Sequence, residues 1–249
     1  MIIDKPASTE SLRQLWKQAF GDTDAFLDSF FTFGFSPNRC RQITIDSKVV
    51  AALYWFDCSF NGKKTAYVYA VATDKAFRGR GLCRMLIEDT HRHLQSLGYQ
   101  GALLVPGSEI LFQFYKKLGY RTCSSIREFT CKAAGTVSLQ PVTAENYNLL
   151  RRKYLPVGSV EPDGSMLAFL KEQYFFYAGE NFILAATSEG DTLITTELLG
   201  DISAAPAIVA MMGKKQGRFR THGTDKPFAM YYPLAQELDR PSYFALALD

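Results

Sequence analysis

Val71-Ala72-Thr73-Asp74-Lys75-Ala76-Phe77-Arg78-Gly79-Arg80-Gly81-Leu82-Cys83 is the stretch that decides how this chain folds. It leaves an apolar, β-rich run (Ala66 to Thr73), crosses a short loop and two glycines, and enters a segment of helical period. In that segment Leu82, Met85, Leu86, His93, Leu94 and Leu97 recur at i, i+3/i+4, and Gly98 is the stop. Glycines let the backbone approach a bulky anion. A helix start leaves its first N–H groups unpaired with the positive end of the dipole behind them. Together they form a nest for a phosphate or pyrophosphate, and Arg78, Arg80 and Arg84 add charge-assisted donors. Other phosphate loops fit worse. G-x-x-x-x-G-K-[ST] is absent, and G-x-G-x-x-G fails because Arg84 stands where the third glycine would be.

Working outward, Ala102 to Val105 reads as a short strand after the helix, which completes a β-α-β unit with parallel pairing. Pro106-Gly107-Ser108 is then a loop with Ser108 as N-cap, a helix runs from Glu109 to Leu118, and strands follow at Tyr120 to Cys123 and Ile126 to Cys131. Upstream, Asn61-Gly62 signals a hairpin joining the Val49 to Cys58 strand to Ala66–Thr73, with Arg41 to Ile45 before it. Ser8 is a candidate N-cap for a first helix that carries Leu12, Leu15, Trp16 and Phe20 and stops at Gly21. A second helix spans Asp24 to Phe31. Its face of Phe26, Leu27, Phe30 and Phe31 serves either as core or as the wall of an acceptor pocket.

These elements resemble the GNAT superfamily of acyl-CoA N-acyltransferases. The family's [R/Q]-x-x-G-x-[G/A] after the fourth strand is matched at Arg78, Gly81 and Cys83, with Cys83 in place of the usual small residue. Its Phe-Tyr-x-x-x-Gly-Phe/Tyr helix end is matched by Phe114-Tyr115-Lys116-Lys117-Leu118-Gly119-Tyr120. Ser108 replaces a frequent Asn. The resemblance covers residues 3–132. It implies an α+β GNAT fold: a mixed, mostly antiparallel central sheet with a parallel, splayed strand pair. It also implies acetyl-CoA as cosubstrate without a metal. The backbone of Val71, Ala72 and Thr73 would hold pantetheine, and Arg78, Gly79, Arg80, Gly81, Leu82 and Cys83, with Ser108 nearby, the coenzyme phosphates. Tyr115 would be the general acid that protonates the departing thiolate, since a phenol with a pKa of about 10 keeps its proton at neutral pH. No carboxylate lies among Ala66 to Ala72, where many relatives carry a basic Glu, so ordered water is the simplest base. Tyr67 and Tyr69 on that strand either face the acceptor or pack the sheet.

The second half follows a linker near Lys132 to Val137. Pro141-Val142-Thr143-Ala144-Glu145 matches Pro6-Ala7-Ser8-Thr9-Glu10, a weak repeat that suggests two related modules, 1–133 and 137–249. Strands are expected at Tyr174–Tyr177, Phe182–Ala186, Leu193–Leu199, Arg218–Thr221, Phe228–Tyr232 and Tyr243–Leu248, and a helix at Ala205–Met212. No coenzyme motif recurs there, because Gly213 and Gly217 have the wrong spacing, so this module should be a degenerate, smaller GNAT-like one. The whole is similar to the enhanced-intracellular-survival type of acetyltransferase without its third domain. In that type a C-terminal carboxylate can enter the site as base, which here points to Asp249.

Composition narrows the rest. With 47% apolar and 21% charged residues the chain is globular, and its 19 Phe and 13 Tyr make rings the main buried material. A net charge of +3 with short, scattered basic runs argues against nucleic acid as partner. Five cysteines, an odd number without CxxC spacing, suit free thiols in a reducing cytoplasm. Met1-Ile2-Ile3-Asp4-Lys5 does not open like a signal peptide, and no apolar run approaches the roughly 18 residues a membrane span needs. The expected activity is acetyl transfer to a small-molecule or peptide amine. The alternatives are a catalytically silent acyl-CoA sensor and a nucleic-acid binder using Arg78 to Arg84.

Overall fold

A computed structural model describes residues 1–6, 8–235 and 239–248. In chain order the first half contains β1 (Ile2–Asp4), α1 (Glu10–Phe20), α2 (Asp24–Ser29), a π-helical turn (Phe30–Gly34), β2 (Cys40–Ile45), β3 (Lys48–Phe60), β4 (Lys63–Thr73), α3 (Leu82–Ser96), β5 (Gly101–Leu104), α4 (Glu109–Lys117) and β6 (Arg121–Lys132). The second half contains β7 (Gln140–Pro141), α5 (Ala144–Arg151), β8 (Val160–Pro162), α6 (Gly164–Gln173), β9 (Phe175–Ala178), β10 (Phe182–Glu189), β11 (Thr192–Gly200), α7 (Ala205–Met211), β12 (Gln216–His222) and β13 (Lys226–Pro233). Among the described residues no helix is long and apolar enough to cross a membrane.

One mixed sheet joins both halves, in the order β1-β2-β3-β4-β5-β13-β6-β12-β11-β10-β9-β7, with β8 pairing β3. The order reads alike from either end. Each half lays its strands down as an antiparallel run closed by one parallel pair, β4 with β5 and β11 with β12. The two strands in the middle are exchanged. β13 comes from the second half and pairs β5 of the first, and β6 comes from the first half and pairs β12 of the second. Gly101 permits this, since a Cβ there would lie 2.0 Å from the hydroxyl of Tyr231 on β13. The Asn61-Gly62 hairpin forms as read, with both residues at positive φ (50° and 72°), the geometry of a type I′ turn.

β3 shows why the central strands are apolar throughout. Ala52, Tyr54, Phe56 and Cys58 belong to one core, and Ala51, Leu53 and Trp55 to another on the opposite face. The first core is shared by the halves and takes in Leu12, Leu15 and Trp16 of α1 with Met166, Phe169 and Leu170 of α6. The second lies under α3 and α4, and a third packs α7 on β10, β11 and β12.

Several expectations need correction. The strands expected at 120–123 and 126–131 are one strand, β6. α2 ends early because the Phe-rich run continues as the π-helical turn. Thr9 occupies the N-cap position of α1, and Ser8 Oγ instead accepts from the Glu10 amide at 3.3 Å. Helix α6 went unread. Tyr243 to Leu248 forms no strand beyond one bridge to Ser159 and runs buried through the shared core. Its apolar residues do not alternate with polar ones, so no side of it can face water. Its backbone groups find hydroxyl partners in place of a ladder. Ser124 Oγ donates to the Phe244 carbonyl (3.1 Å) and accepts from its amide (3.0 Å), and Tyr67 does the same for Leu248 (3.4 and 3.3 Å). Tyr243 Oη donates to Glu197 (2.9 Å), whose carboxylate also accepts from Tyr147 Oη (2.7 Å) and takes two bonds from Arg151 (2.7 and 2.9 Å). Arg151 and Glu197 are both fully buried.

Candidate active site

The site begins where the parallel pair comes apart. β4 and β5 are in register from Thr65 with Gly101 to Tyr67 with Leu103 and do not pair beyond that. On its other edge β4 stays paired with β3 as far as Thr73, across a bulge at which Ala70 takes a φ of 48°. The β5-facing edge of β4 from Val68 onward therefore borders a cleft of about 460 Å³. Val71 lines one side, Leu104 to Gly107 line the other, and Tyr115 of α4 lies between them.

A second cleft, of about 310 Å³, continues along the same two elements, with Thr73 from the end of β4 and Phe114 from α4 in its wall. The remainder is the turn itself: Phe77, Arg78, Gly79, Gly81, Leu82, Cys83 and Arg84. Gly79 and Gly81 both sit at a φ of 76°, and a Cβ on either would touch nothing within 4 Å. The backbone conformation is thus what requires glycine here, and the space beside it is open. α3 starts at Leu82 with no side chain capping its first amides. Asp74 anchors the approach. Its Oδ1 accepts from the Ala76 amide at 2.9 Å, and Lys48 pairs with its Oδ2 at 2.6 Å. The Lys48 hydrogen bond and then the Ala76 amide hold its pKa below the usual carboxylate range.

The residues singled out in the sequence separate as follows. Thr73, Arg78, Gly79, Gly81, Leu82 and Cys83 come together at the second cleft, and Val71, Tyr67, Tyr69 and Tyr115 at the first. Arg78 reaches back, its Nε donating to the Thr73 carbonyl at 3.1 Å. Arg80 turns away from the cleft, bonding the Ala76 carbonyl (3.2 Å) and stacking 4.9 Å over Phe77. The side chain of Ala72 faces the shared core, and Ala72 lines neither cleft. Ser108 sits at the N-cap of α4 without a side-chain hydrogen bond and lines neither cleft. Phe30 is not in the wall. It is buried behind Trp16, Tyr69 and Phe169, with ring centroids 4.6, 5.9 and 5.5 Å away. Asp249 lies outside the described residues, although Leu248 lines the first cleft.

Burial, and then the neighbouring Cys83, push the phenol of Tyr115 well above its ordinary pKa, so it stays protonated. Burial raises the Cys83 thiol to about 11, so it too is uncharged at neutral pH. Among the described residues no cluster of three or more His, Cys, Asp or Glu side chains is assembled that could hold a metal. Sequence reasoning missed the far wall of the first cleft: Trp16 and Phe20, read as a buried helix stripe; Asp22, in the loop after α1; and Gln173 and Tyr174, from the second half. Only the Trp16 and Phe20 spacing carried a signal, and core accounted for it equally well.

The family model of the acetyltransferase (GNAT) domain matches residues 5–123. No curated protein matches the chain by sequence. Among solved structures, the chain is similar to a GCN5-related N-acetyltransferase from Kribbella flavida, with a TM-score of 0.69, 18% identity, and coverage of 92% of this chain and 70% of that one. It is also similar to a GCN5-related N-acetyltransferase from Anabaena variabilis, with a TM-score of 0.67, 16% identity, and coverage of 94% and 73%. Eis1 from Mycobacterium abscessus aligns with a TM-score of 0.67, 12% identity, and coverage of 94% and 74%.

Proposed function

We propose that this chain, whose residues 5–123 match the family model of the acetyltransferase (GNAT) domain, is a GNAT acetyltransferase that transfers the acetyl group of acetyl-CoA to a primary amine by direct attack, with Tyr115 as general acid. The observation that carries the reading is that a protonated, buried phenol lies in the cleft opened by the splayed strands, next to a glycine turn with open helix amides. In this reading the free β4 edge at Val71 and Thr73 pairs with the amides of pantetheine. The amides of Gly81, Leu82 and Cys83, with Arg78 and Arg84, receive the diphosphate. The amine nitrogen attacks the thioester carbonyl, a C–N bond forms, the C–S bond breaks, and the thiolate takes the Tyr115 proton. The amine sheds its own proton to water, or to a carboxylate at Asp249. Burial holds Tyr115 protonated at neutral pH, so a proton is in place when the thiolate departs.

Tyr115→Phe tests this. Thiol release from acetyl-CoA in the presence of an amine should fall about 10²- to 10⁴-fold. Acetyl-CoA affinity, followed by calorimetry, should stay within a factor of about two, since the phenyl ring still fills the site. Equal turnover in the two proteins would sink the assignment of Tyr115. Binding of acetyl-CoA with no thiol release from any amine would instead favour a coenzyme-sensing module.

A further inference from the structure

We infer that Tyr232, carried against the first half on the exchanged strand β13, is a positioning residue for Tyr115 and sets the aim of its hydroxyl through Tyr120. The inference rests on the reading of Tyr115 as proton donor and deepens it. Tyr120 holds Tyr115 in two ways. Its amide donates to the Tyr115 carbonyl at 3.1 Å, closing the end of α4. Its ring meets the Tyr115 ring edge-on, with centroids 5.7 Å apart and planes at 66°. Tyr120 is in turn fixed from behind. His91 Nε2, on α3, lies 2.8 Å from its hydroxyl. Tyr232 packs on both, stacked on His91 at 4.1 Å and tilted against Tyr120 at 5.5 Å, centroid to centroid.

The backbone is shaped for this contact. Gly119 takes a φ of 92°, and a Cβ there would meet Tyr232 Cε2 at 2.9 Å. The glycine of Phe114-Tyr115-Lys116-Lys117-Leu118-Gly119-Tyr120 therefore turns the chain and also lets Tyr232 reach the ring behind the proton donor. Tyr232 is itself seated by its strand. It lies opposite Ala102 of β5, and Gln95 Nε2 of α3 donates to the nearby Leu234 carbonyl at 2.7 Å. Tyr120 and His91 are buried and Tyr232 half-buried, so in a close-packed interior none of these rings swings without displacing the others. The phenol must stand within hydrogen-bond reach of the departing sulfur, so a misplacement of about 1 Å slows proton transfer. The contacts proposed for the coenzyme are made by β4 and the glycine turn, on other elements, and survive such a shift. The second half thus acts on the chemistry of the first from behind the donor.

The test is steady-state thiol release from acetyl-CoA with spermidine, tryptamine and kanamycin as acceptors, joined to fluorine NMR of a ring-fluorinated tyrosine at position 115. Tyr232→Leu should lower kcat about 10- to 100-fold and leave the Kd of acetyl-CoA, measured by calorimetry, within a factor of about two. Tyr232→Phe keeps the ring and should restore kcat. In a Tyr115→Phe background Tyr232→Leu should change kcat by less than about twofold, because residues that act through one group are not additive. The same fall in both backgrounds marks a structural role alone; it overturns the inference and leaves acetyl transfer standing, as does an unchanged kcat in Tyr232→Leu. Equal kcat in wild type and Tyr115→Phe removes the proton donor, and the inference goes with it. If Tyr232→Leu does not fold, Tyr120→Phe, which drops only the hydroxyl beside His91, takes its place with the same expected split. If none of the three amines is turned over, the fluorine resonance decides. It should broaden or split in Tyr232→Leu and stay sharp in Tyr232→Phe, and an unmoved line in Tyr232→Leu overturns the inference.

Discussion

At the scale of single residues, conformation and charge set the outcomes. Gly81→Ala meets no atom, so its cost is the positive φ alone, about 1–2 kcal/mol if the turn holds its shape. Urea denaturation should report that modest loss, while calorimetry with CoA should show a larger fall in affinity where the turn relaxes and its amides lose their aim. Arg151→Met should cost about 3–5 kcal/mol, because Glu197 is left fully buried without its counter-charge. Pairing it with Glu197→Gln, which drops the charge and keeps a hydrogen-bonding amide for the Tyr147 and Tyr243 hydroxyls, should recover most of that stability, and equal instability of the single and double variants would contradict the account. The sequence made Tyr115 and the glycines legible because each sits in a local pattern. Phe30, open in the sequence between core and pocket wall, proves to be core. It shares a helical face with Phe26, and spacing says which face is apolar but not which ring meets a cavity. Phe26 lines the cleft, whereas Phe30, one turn on, is stopped by Phe169.

At the scale of elements, α3 has a built-in pH response. His91 is buried on it, stacked on Tyr232 with centroids 4.1 Å apart, and its Nε2 lies 2.8 Å from Tyr120 Oη. Burial lowers its pKa from 6.5 to about 4. The unfolded chain therefore takes up the proton first as pH falls. Stability is full above pH 6.5 and drains away down to about pH 4, by on the order of 3 kcal/mol. His91→Gln should flatten the melting temperature over that interval, and an unchanged slope would refute the role. Helices and hairpins announced themselves through period, glycine stops and Asn61-Gly62, so the elements around the site were readable. Tyr243 to Leu248 was not, because β propensity cannot distinguish a strand from an extended segment whose backbone is satisfied by Ser124 and Tyr67 hydroxyls. α6 was missed because Gly164 and Ser165 open it and its residues show little polar alternation.

At the scale of the molecule, the match between residues 6–10 and 141–145 marked the start of the second run of strands, but nothing local marked the exchange of β6 and β13. Pairings more than a hundred residues apart leave no periodic trace. Gly101→Val tests the exchange, since its side chain would occupy the place of Tyr231. A stability loss of about 1–3 kcal/mol or more is expected in urea, against little effect if β13 docked elsewhere. Cutting the 133–139 connection with a protease should leave both fragments eluting together in gel filtration, because β13 is clasped by β5 and β6. The same clasp has a consequence for the newborn chain. On the ribosome β5 and β6 emerge long before residues 226–233, and the slot between them stays open until those residues have been made. Translation therefore runs ahead of folding, and a chaperone that shields exposed strand margins during that interval should raise the yield of soluble protein more than one that acts after release.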